Sequence, residues 1–487
     1  MTTALTKQKS HAPHWLRPAL MTLVAAMGIA AQPTHAQSVT TTSFTTAPAS
    51  TTTTSAAAVD LLDTLRWAQS HDPQYAAAQA QREASLAARA QRSPLWDAQT
   101  RATVATGLGG QDVHLTNARA MGQSGVGLDA SINAGWVARV GVGAQKPIRN
   151  PALEVQSDML ETRARIGEVQ WAQAQQDLTW RVVQTYLDVL GARQTIDVLQ
   201  RQHDTLVKAQ QEITRRQAIG DATLMDVQEA QARVALVHAQ VLQAQHELDT
   251  HAIAYRQLTG QMPAALRGVA TRQSDAATLP SLSQCLMQAQ TQSTQLQSLD
   301  LQITLQEEEA KRIQLAGRAA TLDWVGQAQM DRLSGYGMNG LATQQLAGYV
   351  VGVQWSAPLG AQNLTQAREQ EALKQADKLR VDKQLAQAQL ESQVTEAWQA
   401  VQSSQARLQA LAQAHSLNQQ RVRTTRRAHQ LGTRSTLEWL GAEQDAAQAE
   451  LLWQQMRLQV VRSQARLWWV SGALGDSEVQ RLNQQLQ

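Results

Sequence analysis

The stretch LGTRSTLEWL, residues 431–440, interrupts a long helical pattern with a glycine and a run of Thr and Ser, and an acid follows six residues after Gly432. The stretch IGDATLMDVQ, residues 219–228, repeats this arrangement after Gly220. A glycine between helical segments favours a tight turn, because positive φ costs glycine little. The two stretches predict two helical hairpins, each with a carboxylate about one and a half turns into its returning helix. The two carboxylates are Glu438 and Asp226.

The two halves of the chain match at a constant offset of 212 residues. Coincidences at one offset indicate an internal duplication. Each half is predicted to run helix, strand, strand, long helix, turn, helix, over residues 58–265 and 266–475, with residues 476–487 as a C-terminal tail. The matched pairs are Val182 with Val394, Tyr186 with Trp398, Gly220 with Gly432, Asp226 with Glu438, and Gly260 with Gly472.

Two short segments that alternate between apolar and polar residues precede each long helix. They predict strands of about ten residues, which is the length that a tilted strand needs to cross a bilayer. The alternation places four aromatic residues on apolar faces, as in the aromatic belt of a membrane interface. Strands of a sandwich with these aromatics in its core are the alternative. The strands are predicted at about 97–108, 134–146, 321–332 and 348–357, and the aromatics are Trp136, Trp324, Tyr349 and Trp355.

The segment from about residue 150 to residue 219 contains no strong stop signal and carries apolar residues every seven positions. This spacing is typical of a coiled coil. At ~1.5 Å per residue, the predicted helix is on the order of 100 Å long. The heptad residues are Val182, Val189 and Ile196 in one series and Leu199, Leu206 and Ile213 in another.

Residues 1–36 are predicted to be a secretion signal, because three basic residues precede an apolar stretch that ends in small residues. Residues 37–57 are rich in Thr, Ser and Ala and are predicted to be a disordered leader. The chain has a formal net charge of +3. The three basic residues of the signal account for that excess, so the rest is close to neutral and gives no charge argument for a nucleic-acid partner.

The sequence contains no recognisable arrangement for catalysis, cofactor binding or metal binding. Cys285 is the only cysteine, which excludes an internal disulfide and every two-cysteine metal or redox motif. The histidines of HELDTH (residues 246–251) are five residues apart, whereas the zinc motif needs four. GLGGQD (residues 107–112) lacks the strand-then-helix context of a nucleotide-binding motif and is predicted to be a loop between strands. We therefore expect neither an enzyme nor a cofactor.

Two pairs of short strands cannot close a barrel, and open strand edges in lipid leave backbone groups without hydrogen bonds. The predicted strands therefore require oligomerisation. Together with the signal, the duplicated halves and LGTRSTLEWL, they resemble the TolC family of outer-membrane channel proteins. The resemblance implies a mainly α fold with a small β part: a homotrimer whose four strands per protomer form a 12-stranded outer-membrane β-barrel, continuous with a periplasmic α-helical barrel. It also implies a passive export duct that works with a periplasmic adaptor and an inner-membrane transporter, ABC or proton-driven, in efflux or type I secretion.

The same resemblance assigns roles at the hairpin tips, which in the family close the periplasmic end of the duct. Gly220 and Gly432 fall on the tip turns. Asp226, Arg434 and His429 fall on positions of the gate links, with His429 in place of a tyrosine. Glu438 falls on an acid that narrows the aperture, where three copies are expected to raise one another's pKa, whereas Gly441 stands where a second acid is expected. The alternative for Arg434 and Glu438 is a solvated helix surface.

A periplasmic adaptor or another coiled-coil scaffold without a pore is the alternative function. Such a protein also contains long helical hairpins and joins membranes. An adaptor normally pairs one long hairpin with small β-domains, however, and it lacks duplicated strand pairs. The two pairs of predicted strands therefore favour the channel.

Overall fold

The computed structural model describes most of the chain after residue 58. The predicted signal (1–36) and leader (37–57) lie outside the described residues. Every helix among the described residues is too short or too polar to span a membrane. The described ranges are 59–120, 123–268, 280–337, 340–360 and 362–486.

Long α-helices dominate these ranges, and two pairs of β-strands interrupt them. In chain order the elements are α1 (Leu61–His71), α2 (Pro73–Arg89), β1 (Gln99–Ala120), β2 (Gln123–Arg149), α3 (Pro151–Ala218), α4 (Leu224–Thr259), α5 (Leu282–Gln292), α6 (Thr294–Arg318), β3 (Thr321–Gly337), β4 (Gly340–Ser356), α7 (Gln362–Gln430), α8 (Thr436–Val470) and α9 (Asp476–Gln485).

Two long helical hairpins, α3–α4 and α7–α8, follow the same plan. Helix α3 has 68 residues and α7 has 69, so each is on the order of 100 Å long. Helix α3 ends at Ala218 and α4 begins at Leu224, while α7 ends at Gln430 and α8 begins at Thr436. Both boundaries of the second hairpin lie 212 residues after those of the first.

The four strands form one antiparallel sheet in the order β1-β2-β3-β4. Each strand includes most of a predicted segment, but the strands are longer than predicted, with 22, 27, 17 and 17 residues. The prediction of a loop at GLGGQD is wrong, because these residues belong to β1. Gly109 of this segment pairs with Gly135 of β2. Gly135 allows the close approach of β3, because a Cβ there would lie 2.6 Å from the Ser334 carbonyl oxygen.

The helices pack through buried apolar residues, and all six predicted heptad residues of α3 are buried. The predicted C-terminal tail is largely a helix, α9. Its Val479 and Leu482, with Leu486 after it, join a cluster that includes Leu61 of α1 and Tyr186 of α3. The side chain of Asn483 accepts a hydrogen bond of 3.1 Å from the Leu61 amide. The end of the described chain is therefore part of the core.

Candidate functional site

One face of the sheet is apolar and exposed. Residues that lie directly opposite each other on neighbouring strands share a face, and the strand register places Val104, Val140, Met330 and Ala347 in one row. Val104, Val140 and Met330 are 70%, 51% and 42% exposed. Apolar exposure of this kind on a sheet marks an interaction surface.

The four predicted interface aromatics all lie on this face. Trp324 and Trp355 lie at the end next to the helices, and Trp136 lies towards the opposite end. Tyr349 is opposite Ala328, inside the apolar band. The structure adds Tyr336, an exposed residue near Trp136 that sequence reasoning missed. Alternation along β3 places it on the face of Trp324 and could have found it.

The opposite face of the sheet is polar. The Arg139 guanidinium contacts the Asp331 carboxylate across β2 and β3 at 2.8 Å. The Gln145 amide donates a 3.1 Å hydrogen bond to Asp323. The register thus places mainly apolar side chains on one face, whereas the other face carries these hydrogen-bonded polar side chains together with exposed Leu346 and Val350.

The sheet has two open edges among the described residues. Strand β1 pairs only with β2, and β4 pairs only with β3. Each edge strand presents backbone N–H and C=O groups without a ladder partner. Such edges are templates for pairing with another chain.

The first hairpin tip is a tight turn followed by a capped helix. Gly220 adopts φ 89°. Thr223 is the N-cap of α4: its hydroxyl accepts from the Asp226 amide at 3.1 Å, and Asp226 Oδ2 accepts from the Thr223 amide at 3.0 Å. Asp226 is therefore the third residue of α4 and lies in its first turn. The prediction that it lies one and a half turns into the helix is wrong. The spacing T-x-x-D signals this capping box in the sequence.

The second tip repeats this geometry. Gly432 adopts φ 74°, and Ser435 caps α8 through its hydroxyl, which accepts from the Glu438 amide at 3.2 Å. Glu438 Oε2 accepts from the Ser435 amide at 2.9 Å, and the other carboxylate oxygen forms an ion pair with Arg434. Like Asp226, Glu438 lies in the first turn of its helix rather than one and a half turns in.

His429 connects the second turn to the core between the hairpins. Its Nδ1 lies 3.2 Å from the Arg434 carbonyl oxygen, and its ring stacks on Trp439 at 5.3 Å. Trp439 belongs to a cluster of buried residues from α3, α4 and α8, which we call the tip cluster: Leu206, Ala209, Ile213, Val227, Ala230, Val237, Trp439 and Leu440. Packing therefore joins the second tip to the first.

The two tip carboxylates have lowered pKa values. The Thr223 hydroxyl and amide hold the pKa of Asp226 below its ordinary value, and the His429 imidazole acts in the same direction. The Ser435 amide and then Arg434 lower the pKa of Glu438. The rise expected for the pKa of Glu438 concerns repulsion among three copies. Within one protomer the pKa of Glu438 is lowered.

The structure brings only some of the predicted gate residues together. Asp226 bonds within its own turn, and Arg434 bonds to Glu438; no hydrogen bond or ion pair joins Asp226 to Arg434 within the described part of the protomer. His429 stacks on Trp439, whose cluster also contains Val227, the residue after Asp226. At Gly441, a Cβ would meet no atom within 4 Å, so a side chain has room there.

No family model matches the chain. A segment is 29% identical over 143 residues to the outer membrane protein TolC of Vibrio cholerae, covering 29% of this chain and 33% of that protein. The match thus spans about a third of the relative's length. The outer-membrane channel OprN superposes with a TM-score of 0.65 at 16% identity, covering 85% of this chain and 90% of OprN.

The CmeC outer membrane channel of Campylobacter jejuni superposes with a TM-score of 0.68 at 13% identity, covering 88% of this chain and 90% of CmeC. The chain is thus similar to TolC over that segment, and its fold is similar to that of solved outer-membrane channels. OprN and CmeC are named as outer-membrane channels and the Vibrio cholerae relative as an outer membrane protein. None of the three is named as an enzyme, in agreement with the expectation from the sequence of this chain. Within the described residues, no group of three or more His, Cys, Asp or Glu side chains could hold a metal ion.

Proposed function

We propose that this chain is one subunit of a trimeric export duct in the outer membrane, with a large periplasmic portion. The exposed apolar face of the sheet carries this proposal. Trp324 and Trp355 lie at one end of a band of aliphatic side chains, and Trp136 and Tyr336 lie towards the other end, which suits the two interfaces of a bilayer. The opposite, polar face suits a water-filled interior.

The open edges of β1 and β4 support an oligomer, and the resemblance to the TolC family implies that it is a trimer. Unpaired backbone groups in lipid cost several kcal/mol each, so the edges must pair with other copies. Three protomers with four strands each make a 12-stranded β-barrel, in which β4 of one copy pairs with β1 of the next. The barrel has no edge, and its apolar face meets the lipid.

The helical hairpins then continue the duct into the periplasm. One residue separates the end of β2 from α3, and five separate the end of β4 from α7. In a trimer, each copy contributes long helices from two repeats, 58–265 and 266–475. At this length the tips lie on the order of 100 Å from the sheet. There they meet a periplasmic adaptor and an inner-membrane transporter, for tripartite efflux or type I secretion.

The hairpin tips form the gate of the resting duct. Asp226, His429 and Arg434 link neighbouring tips, and the three Glu438 carboxylates line the aperture and favour cations. The stacking of His429 on Trp439, which belongs to the same cluster as Val227 next to Asp226, supports the first link. Arg434 is 59% exposed at its side chain and pairs with Glu438 of its own tip, so a link to another protomer requires exchange of this ion pair.

Oligomeric state and conductance test the duct. The mature chain, purified in detergent, is expected to migrate as a heat-stable trimer and to insert into planar bilayers as a cation-preferring channel. A protein that is monomeric and soluble without detergent, and that gives no conductance, contradicts the proposal and favours the adaptor or scaffold function.

Single-channel conductance also tests the gate. Asp226→Ala and Arg434→Ala are expected to raise conductance, because each removes a link that holds the tip closed. Thr223→Ala is the matched control, since it removes hydrogen bonds of the first cap but keeps the Asp226 carboxylate. If conductance is unchanged in both gate variants, the gate assignment is wrong. It is also wrong if the control raises conductance as much as the gate variants do.

A further inference from the structure

The apolar face of the sheet carries two cations and no acid. Across residues 100–108 of β1, 134–146 of β2, 322–336 of β3 and 341–355 of β4, the register places Lys146 and Arg332 on this face. The two strand carboxylates of this part of β3, Asp323 and Asp331, both lie on the polar face. The apolar face is therefore positively charged.

Neither cation has an acidic partner among the described residues. Asp331 precedes Arg332 in sequence, but it points to the polar face and binds Arg139 at 2.8 Å. Arg332 lies opposite Ala138 and Gln345. Lys146 lies opposite Trp324. Both cations are exposed.

Lys146 lies at one border of the aliphatic band, and Arg332 lies one row before Trp136 near the other border. Lys146 shares its row with Trp324, and Arg332 is eight residues further along β3. Eight residues span about 27 Å along a strand, and a tilt of about 40° reduces this to a height of about 20 Å. An apolar band is about 25 Å tall in barrels of this kind. Each long side chain can thus extend its charge to one interface while its stem stays in the band.

A second copy of the chain cannot neutralise these charges. Closing the sheet brings β1 of one copy beside β4 of the next. On the apolar face, residues 100–108 of β1 and 341–355 of β4 contain no carboxylate. The partner of these cations must therefore come from outside these strand segments.

We propose that Arg332 and Lys146 bind anionic, phosphate-bearing headgroups of membrane lipids, one in each leaflet. The inference rests on the proposed placement of this sheet in the outer membrane. A guanidinium donates paired hydrogen bonds to a phosphate, and the ammonium of Lys146 acts as a point charge. Arg332 and Lys146 thus bind the sheet to lipid at both borders of the band.

Tryptophan quenching by brominated lipids tests this proposal, because Trp136, Trp324 and Trp355 lie on the same face. The mature protein is reconstituted in vesicles that mix phosphatidylcholine with brominated phosphatidic acid or with brominated phosphatidylcholine. The wild-type protein is expected to prefer the anionic lipid. Arg332→Gln and Lys146→Gln are each expected to reduce that preference about fivefold, the factor that about 1 kcal/mol per cation gives.

Arg101→Gln is the matched control. Arg101 is an exposed arginine on the polar face of β1, so the variant makes the same charge change and should keep the full preference. Addition of millimolar inorganic phosphate should also leave the preference intact. Equal losses in Arg101→Gln and Arg332→Gln, no preference in the wild type, or displacement by inorganic phosphate would each overturn lipid binding.

Conductance in pure phosphatidylcholine bilayers separates this inference from the proposed function. A wild-type protein that conducts ions but does not prefer the anionic lipid contradicts only the lipid sites. A protein that neither inserts nor conducts contradicts the duct and the lipid sites together.

Discussion

The two hairpin tips share their backbone but differ in their side chains. Both have a glycine at positive φ, a hydroxyl N-cap and an acid at the third helical residue. At the 212-residue offset, however, Val227 of the first tip corresponds to Trp439 of the second. Gln217 likewise corresponds to His429. The local rules for turning and restarting a helix are thus kept, while the packing residues have diverged.

The acids that both tips share have a structural role in each tip. Each carboxylate accepts hydrogen bonds from its own N-cap residue, so its presence is explained without a gate. Only the second tip adds a cation at the turn, because Arg434 corresponds to Ala222 in the first. Gating is therefore expected to depend on the residues that differ between the tips more than on those they share.

Trp439→Ala is expected to have the largest effect. Trp439 is 8% exposed and belongs to the tip cluster, and Trp→Ala substitutions in cores cost about 3–5 kcal/mol. Val227→Ala, the equivalent change in the first tip, should cost about 1.5–2 kcal/mol because it removes two methyl groups. Amide hydrogen exchange of residues 206–240 and 425–445 measures the local opening free energy. Similar losses in both variants would show that the tips pack alike.

Alanine at the turn glycines should have the next largest effect. At Gly220 and Gly432 a Cβ meets no atom within 4 Å, so the cost comes from positive φ alone and is about 1–2 kcal/mol at each tip. Gly441→Ala is the control in the helix interior, where alanine is expected to stabilise α8 by up to about 1 kcal/mol. Thermal unfolding of the detergent-solubilised protein gives the sign of each change. A stabilising Gly432→Ala would contradict the turn geometry.

Removal of an N-cap hydroxyl should cost the two tips about the same. Thr223→Ala and Ser435→Ala each remove a hydroxyl that accepts from the third helical amide, and such losses cost about 1 kcal/mol. Hydrogen exchange in the first turns of α4 and α8 measures the fraying. Thr223→Ser keeps the hydroxyl and should retain protection. Loss of protection at only one tip would show that the N-cap hydroxyl does not stabilise the two helices equally.

The helical part of the fold could be predicted from sequence because its rules are local. Heptad spacing predicted six of the buried residues of α3. Gly220 and Gly432 predicted the turns of the two hairpin tips. Alternation predicted which face of the sheet carries Trp136 and Trp324. Each of these signals depends on neighbours a few residues away, which a sequence shows directly.

The errors arose where a residue's partner is distant in sequence or where a local signal was passed over. The pairing of Gly109 with Gly135, and of Gly135 with Gly335, extends the strands through a segment that resembles a loop. Burial of Val479 depends on packing against helices from the start of the chain. The error in the positions of Asp226 and Glu438 has another cause. The spacings T-x-x-D and S-x-x-E identify the third helical residue, and the prediction did not take this local signal into account.

Acid pH should have the smallest effect and should act on both tips in the same direction. Because the folded-state pKa values of Asp226 and Glu438 lie below 3.8 and 4.5, their stabilisation is full above those values and is lost as pH falls through the folded pKa. Protection factors at both tips should therefore decline below about pH 4. Glu438→Gln should remove this decline at the second tip and leave it at the first. Protection that rises on acidification, or a first tip that changes with Glu438→Gln, would contradict two independently capped helices.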